Sequence, residues 1–345
     1  MEENIRFEIT SVKQETSEAR TYELRPLNSA VNFLPGQFLT IIFHFEHQEI
    51  RRSYSIISLP GEPIKITVQR VENGAVSRYI LINWKVGTLI ESLPPTGRFT
   101  LSPQKNVSRD IFLLAAGSGI TPILSQLRYL LKEEPQSLIH LFYSNNSEDK
   151  TIFRSEIEQI KGSASNFELT EFLSNPKSHW NTRQRLNNGL LEILVNKKMK
   201  FNKAEAVFMI CGPFTYMRMV KMTLTFMKFR EDQIKTENFL PEIMRSGTRT
   251  VPDFPDRHVL LELKGQHYDL LVHSGQSILR AALQSNINLP YSCEGGICSV
   301  CAAICKKGKV KMAINEVLTD KDIADGWVLT CTGYPAEEGT VIRFE

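Results

Sequence analysis

Four cysteines near the C-terminal end of a 345-residue chain follow one spacing: Cys293, four residues, Cys298, two residues, Cys301, then 29 residues to Cys331. Two irons bridged by two sulfides need four thiolates in one small volume. A tight loop with this spacing supplies three and a returning strand the fourth, the pattern that holds a [2Fe–2S] cluster. Gly295 and Gly296 inside the loop let the backbone wrap closely, and amide N–H groups there can donate to sulfur and tune the reduction potential. Structural zinc is the alternative chemistry. It would accept Cys298 and Cys301 as a pair, but Cys331 has no neighbouring Cys or His to form a second pair. Cys305 falls outside the spacing and reads as a small buried hydrophobe.

Three further strings carry possible chemistry. Arg52-Ser53-Tyr54-Ser55 lies on an expected strand, where Arg52 and Tyr54 share a face. A guanidinium fork pairs with phosphate, a tyrosine ring stacks on a flat heterocycle, and a small hydroxyl bonds to a ring nitrogen. Gly117-Ser118-Gly119-Ile120-Thr121-Pro122 follows an apolar run and precedes an amphipathic stretch, the setting of a dinucleotide phosphate loop. The string lacks the full glycine fingerprint, so an ordinary strand-to-helix turn fits it equally well. Cys211-Gly212-Pro213 follows the apolar run from Ala206 to Ile210, where a buried thiol at a strand end is the plain alternative.

The elements that must position these groups change character along the chain. Phe7 to Val12, Thr21 to Leu24, Phe38 to Phe43 and Ile64 to Val71 are rich in β-branched and aromatic residues and are punctuated by Pro35-Gly36 and Pro60-Gly61. Short strands at that spacing predict a β-barrel, with one helix from about Ser77 to Trp84. From Asp110 apolar runs alternate with helical patterns: strands at 111–116, 138–143, 167–172 and 206–210, helices at 122–131, 152–160 and 214–227. Such alternation predicts a parallel sheet covered on both faces. The stretch from Leu240 to Pro255 has no period and reads as a linker. VLLEL and YDLLV then predict a hairpin, followed by a helix from Ile278 to Gln284.

Bulk composition narrows the function classes. A hydrophobic content of 42% supports packed cores, and a net charge of +3 argues against nucleic acid as main partner. No apolar run approaches the ~20 residues needed to cross a bilayer, and the start, MEENIRFEIT, has no apolar signal region. The cytoplasm is the expected compartment. There, crowding five of six cysteines into the last 53 residues points to metal or catalysis rather than disulfides.

With these residues in view, the segment from Val259 to Cys301 resembles a plant-type ferredoxin domain of β-grasp fold. It departs in one place: many members carry Arg or Lys after the first cysteine, where this chain has Glu294, and a carboxylate there would lower the cluster potential. Lys306, Lys307, Lys309 and Lys311 just beyond would offset that charge, dock a partner, or simply form a solvated face. Arg52-Ser53-Tyr54-Ser55 is similar to the R-x-Y-S motif of the ferredoxin–NADP reductase superfamily. The resemblance implies that Tyr54 and Ser55 contact the flavin ring and Arg52 its phosphate, with Ser53 in the same flavin-binding segment. The stretch from Gln69 to Ser77 looks like the element whose amides, here at Gly74, Ala75, Val76 and Ser77, and whose serine hold the diphosphate. Pro95 to Phe99 resembles the turn that closes the barrel. Gly117, Gly119, Ile120, Thr121 and Pro122 match the superfamily's nucleotide loop. In Cys211-Gly212-Pro213 the resemblance puts Cys211 beside the reacting nicotinamide carbon. Glu237-Asn238-Phe239 resembles the end of the nucleotide domain, with Phe239 as an aromatic shield over the flavin. Ser55, Cys211 and Phe239 thereby become the implied catalytic residues.

The implied architecture is a flavin-binding antiparallel β-barrel (residues 1–104), a parallel α/β NAD(P)H domain (105–242), a linker (243–256) and a [2Fe–2S] ferredoxin-like domain (257–345). This order resembles reductase components of bacterial multicomponent oxygenases. EIRRSYSI, AAGSGITP and the segment from Val310 to Cys331 look most like the phenylacetyl-CoA epoxidase branch, which implies FAD rather than FMN. Tyr143-Ser144-Asn145-Asn146 contains no arginine to hold a 2′-phosphate, and none follows until Arg154, which favours NADH over NADPH. The expected activity is electron transfer from NAD(P)H through flavin and cluster to an oxygenase. A ferredoxin or flavodoxin reductase without an oxygenase partner, or a redox sensor that does not turn over, are the alternatives.

Overall fold

A computed structural model describes residues 4–344 apart from 29, 46–47, 179–181, 240–251 and 253. The chain divides into two compact units, residues 1–239 and 240–345. Most of the expected linker, 243–256, lies outside the described residues.

The first unit opens with strands β1 (Ile5–Thr16), β2 (Ala19–Pro26), β3 (Phe38–Phe45), β4 (Gln48–Ser55) and β5 (Ile64–Gln69), then helix α1 (Ala75–Asn83) and β6 (Leu89–Thr96). They form one antiparallel sheet in the order β4-β3-β6-β1-β2-β5. A bridge between Ile56 and Ile66, with the Ile57 amide donating to the Lys65 carbonyl at 2.9 Å, joins the two edges into a barrel. Alternation along β1 sends Ile5, Phe7 and Ile9 inward. They meet Tyr22, Leu24, Leu39, Ile41 and Ile66, and α1 adds Val76 and Ile80 to the same core.

The rest of this unit is β7 (Asp110–Ala116), α2 (Ile120–Glu133), β8 (Leu138–Asn145), α3 (Arg154–Ser163), β9 (Phe167–Leu173), α4 (Asn188–Lys198), β10 (Val207–Gly212), α5 (Phe214–Phe226) and β11 (Ile234–Asn238). The five strands are parallel, in the order β11-β10-β7-β8-β9. The chain runs outward from β7 through β8 to β9, then crosses back to β10 and β11. The strand order therefore reverses between β7 and β10, and in open α/β sheets ligands bind at that crevice. Helix α2 locks this sheet to the barrel. Gln126 is fully buried and donates to the Pro35 carbonyl at 2.5 Å and the Phe99 carbonyl at 3.0 Å. Ser125 accepts from the Gly36 amide, and Arg128 forks onto Glu62 at 2.7 and 3.0 Å. Gly36 is obligatory here, because a Cβ would stand 1.9 Å from the Phe99 carbonyl oxygen.

The second unit contains β12 (Arg257–Leu263), β13 (Gln266–Val272), α6 (Ile278–Gln284), β14 (Ala302–Lys307), β15 (Val310–Met312), α7 (Asp320–Ala324), β16 (Trp327–Leu329), β17 (Gly333–Pro335) and β18 (Thr340–Phe344). Its main sheet runs β13-β12-β18-β14-β16 and a small one pairs β15 with β17. The β12–β13 hairpin is antiparallel while β12 and β18 lie parallel, and α6 packs Ile278, Leu279 and Ala282 on Val259, Leu261 and Ile342. Among the described residues no helix is long and apolar enough to cross a membrane.

Candidate functional sites: a thiol loop and a nucleotide crevice

The loop between α6 and β14 brings three cysteines round to meet Cys331, which follows β16. Cys301 and Cys331 are 2% and 7% exposed. The Cys293 thiol faces both Cys298 and Cys331, and Cys331 also faces Cys301. The backbone is shaped for this. Glu294 and Ser299 take positive φ of 48° and 57°, and Gly296 takes 79°. A Cβ on Gly296 would lie 2.6 Å from the Ile314 carbonyl oxygen, and the Gly296 carbonyl accepts from the Glu316 amide at 3.0 Å. The Gly295 amide donates to Cys293 Sγ at 3.3 Å. Thr330 bonds the Cys301 carbonyl through both its amide and its hydroxyl, pinning the Cys331 strand to the loop. Among the described residues no three His, Cys, Asp or Glu side chains form a single-ion site. A dinuclear cluster divides its four thiolates between two irons, so a donor set of four thiols on a constrained loop fits it. Cys305 lies on β14, only partly buried, with its S–H directed to the Lys307 carbonyl at 3.4 Å. It packs against the core of this unit as a partly buried hydrophobe.

In the first unit the switch point draws distant residues together. A turn at Gly117–Gly119, with Gly117 at φ 55°, carries the chain from β7 into α2. Gly119 lies so close to β10 that a Cβ would stand 2.2 Å from the Cys211 carbonyl oxygen. Thr121 donates back to the Ser118 carbonyl, leaving the first amides of α2 without a side-chain cap, the usual form of an anion site. Cys211 is fully buried at the end of β10 and pairs in register with Glu237 on β11. Burial pushes the Cys211 thiol well up, and Glu237 adds to this, so it is a neutral packing group rather than a thiolate.

Ser55, 2% exposed at the end of β4, faces Glu237 across the junction of barrel and sheet. Burial pushes the Glu237 carboxyl up to about 8, an effect that Ser55 partly offsets. Neither Ser55 Oγ nor Glu237 Oε2 closes a hydrogen bond, although both are buried. Unmet buried polar atoms at a junction are what a bound flavin and nicotinamide would satisfy.

The remaining expected residues fall on both sides of this geometry. Tyr54 packs against the barrel core, and Arg52 donates to the Arg51 carbonyl at 2.8 Å. Ser53 bonds Thr40 on the neighbouring strand at 3.0 Å. At the start of α1, Gly74 has no room for a side chain, and no side chain caps the helix. Ser77 is engaged locally: it accepts from the Val71 amide at 3.1 Å and donates to the Gly74 carbonyl at 3.3 Å. Its hydroxyl shapes the loop, while the amides of Ala75, Val76 and Ser77 form the open first turn. Phe239 follows β11, is 38% exposed, and has no aromatic partner among the described residues. Sequence reasoning passed over three residues here. Ser144 was noted only for lacking charge, while the buried hydroxyl of Tyr216 and the docking amide of Gln126 carry no local motif.

Comparison with known proteins agrees with this arrangement. Residues 6–101 match the oxidoreductase FAD-binding domain, 113–222 the oxidoreductase NAD-binding domain and 261–336 the 2Fe-2S iron-sulfur cluster binding domain. A subunit of 1,2-phenylacetyl-CoA epoxidase from Escherichia coli K12 is 31% identical, over 98% of this chain and 96% of that protein. The ferredoxin reductase component of 3-ketosteroid-9-alpha-monooxygenase from Mycobacterium tuberculosis is 28% identical, over 99% and 96%. The fold matches phthalate dioxygenase reductase with a TM-score of 0.60 at 22% identity, covering 99% of this chain and 98% of that one. An intact type IV self-sufficient cytochrome P450 monooxygenase aligns with a TM-score of 0.73 at 18% identity, over 98% of this chain and 41% of its own. With FAD-, NAD- and cluster-binding parts in one order along its length, the chain belongs to the family of three-domain iron–sulfur flavoprotein reductases that includes its 1,2-phenylacetyl-CoA epoxidase relative.

Proposed function

We propose that this oxidoreductase is the electron-supplying component of an oxygenase system, of the phenylacetyl-CoA epoxidase kind or a related mono- or dioxygenase, working in the cytoplasm with NADH as donor. The reading rests above all on Ser55, Cys211 and Glu237 meeting where the barrel joins the switch point of the nucleotide sheet. When bound, flavin turns the two-electron hydride into single electrons that the cluster can carry.

The chain's own residues do the placing. Arg52, Ser53, Tyr54 and Ser55 would hold the flavin with the first-turn amides of Gly74, Ala75, Val76 and Ser77. Gly117, Gly119, Ile120, Thr121 and Pro122 would seat the dinucleotide phosphates, and Gly212 and Pro213 would leave room for nicotinamide over Cys211. At neutral pH the Glu237 carboxyl keeps its proton, so it can donate toward Ser55 or a ligand atom. Cys211 excludes water from the same spot. Phe239 would cover the flavin, and Cys293, Cys298, Cys301 and Cys331 would ligate the irons. The domains would run 1–104, 105–242 and 257–345, with a linker at 243–256.

Anaerobic titration with NADH and NADPH, followed in the visible spectrum, tests the assignment. Bleaching of both flavin and iron–sulfur bands, at lower NADH than NADPH, is expected. Protein that stays colourless after reconstitution with iron, sulfide and FAD would overturn it.

A further inference from the structure

Two more buried polar atoms stand at the crevice, on the face of the sheet opposite Cys211. Ser144 is near the end of β8, beside Ala116 at the end of β7. Tyr216 is in the first turn of α5, and its ring lies along Gly212, where a Cβ would stand 3.1 Å from Tyr216 Cδ1 and 2.9 Å from Ala116 Cβ. The Tyr216 hydroxyl is directed to Ser144, yet neither oxygen closes a hydrogen bond, and both are shielded from solvent. A buried hydroxyl without a partner is unfavourable, so an unmet pair calls for a ligand that can satisfy it. Asn145 Nδ2 is also unmet, but alternation along β8 turns it to the other face, toward Tyr143.

We propose that Tyr216 and Ser144 form a hydroxyl pair that recognises a ribose diol of the pyridine dinucleotide, a role that rests on the reductase reading above. Each hydroxyl can both donate and accept, as each hydroxyl of a vicinal diol can. Burial raises the Tyr216 hydroxyl above its ordinary value, so it stays neutral beside the uncharged Ser144, and a neutral pair suits a neutral diol. Tyr216 as a whole is only partly buried although its hydroxyl is shielded, so the pair lies close beneath the surface.

The test compares Tyr216→Phe and Ser144→Ala in the cofactor-loaded full chain with the parent. Four quantities are read: NAD+ affinity by calorimetry, KM and kcat with NADH, turnover with N-benzyl-1,4-dihydronicotinamide, which has no ribose, and the thermal midpoint. Each variant is expected to bind NAD+ about tenfold more weakly, the loss of one hydrogen bond, with KM raised and kcat kept. Turnover of the ribose-free donor stays unchanged, and the thermal midpoint holds or rises, because no internal hydrogen bond is removed. Unchanged NAD+ affinity in both variants would overturn the pair, and so would an equal loss with the ribose-free donor, which would assign the hydroxyls to the nicotinamide ring. A parent that turns over neither donor would sink the reductase reading, while NAD+ affinity, which needs no turnover, still judges the pair.

Discussion

Around the thiol loop all four clustered cysteines lie between residues 293 and 331, and the backbone does the shaping through three positive φ angles, a glycine pressed on the Ile314 carbonyl and two bonds from Thr330. The nucleotide crevice is assembled differently. Ser55, Ser144, Cys211, Tyr216 and Glu237 come from five separate elements, and four of them keep a buried polar atom unmet. One site is shaped by local chain geometry. The other stores unsatisfied hydrogen bonds, at a cost in stability, until its ligands come. The difference suits the cargo: a cluster is resident, whereas a dinucleotide must enter and leave on every turnover.

The comparison can be broken most sharply at Cys331. Cys331→Ser removes one of four thiolates, so the iron–sulfur absorbance is expected to vanish and NADH-driven reduction of cytochrome c to fall about a hundredfold, while ferricyanide reduction through the flavin stays within about twofold. Equal loss of both activities would show that the two sites do not work separately. A smaller effect is expected at Gly119. An alanine there must push β10 away, costing about 1–3 kcal/mol and lowering the thermal midpoint, with NADH oxidation impaired and iron content unchanged. A midpoint equal to the parent's would mean that the close approach of turn and strand is dispensable.

A pH profile at Glu237 reads the stored cost directly. Glu237 ionises at about 8 when folded, against an ordinary value of 4.5, so the native state holds a proton that the unfolded chain has released between those values. Stability therefore falls as pH rises from about 4.5 to about 8 and levels off above. Glu237→Gln removes that contribution. In urea unfolding the variant should gain on the parent across this range, and parallel pH profiles would show that the carboxyl is not held neutral.

Legibility followed the same division. The convergence of the four cysteines and the iron–sulfur domain around them could be read because the thiols are nearly contiguous and follow one spacing. The alternation along β1 and the apolar run of β7 likewise disclosed strand faces, since burial there repeats along the chain. Helix α4 was not anticipated: it buries only Leu191 and Val195, too narrow a stripe to stand out. The hydroxyl of Ser77 closes the Val71–Gly74 loop, an arrangement set by local geometry that residue type alone does not disclose. The meeting of Ser55 with Glu237, and the docking of Gln126 on the Gly36 turn, depend on how barrel and sheet come together, which no short window of residues records.

The barrel seam has a consequence of its own. Strand β4 is laced to β3 from Gln48 through Ser55, yet the edge beyond it meets β5 through the bridge of Ile56 with Ile66. The segment bearing Arg52 to Ser55 is thus hung firmly along one side and latched just beyond its end on the other. Because β3 holds the whole of this segment and β5 only the residue just past it, the wall at Ser55 keeps its β3–β4 register whatever becomes of the Ile56–Ile66 bridge.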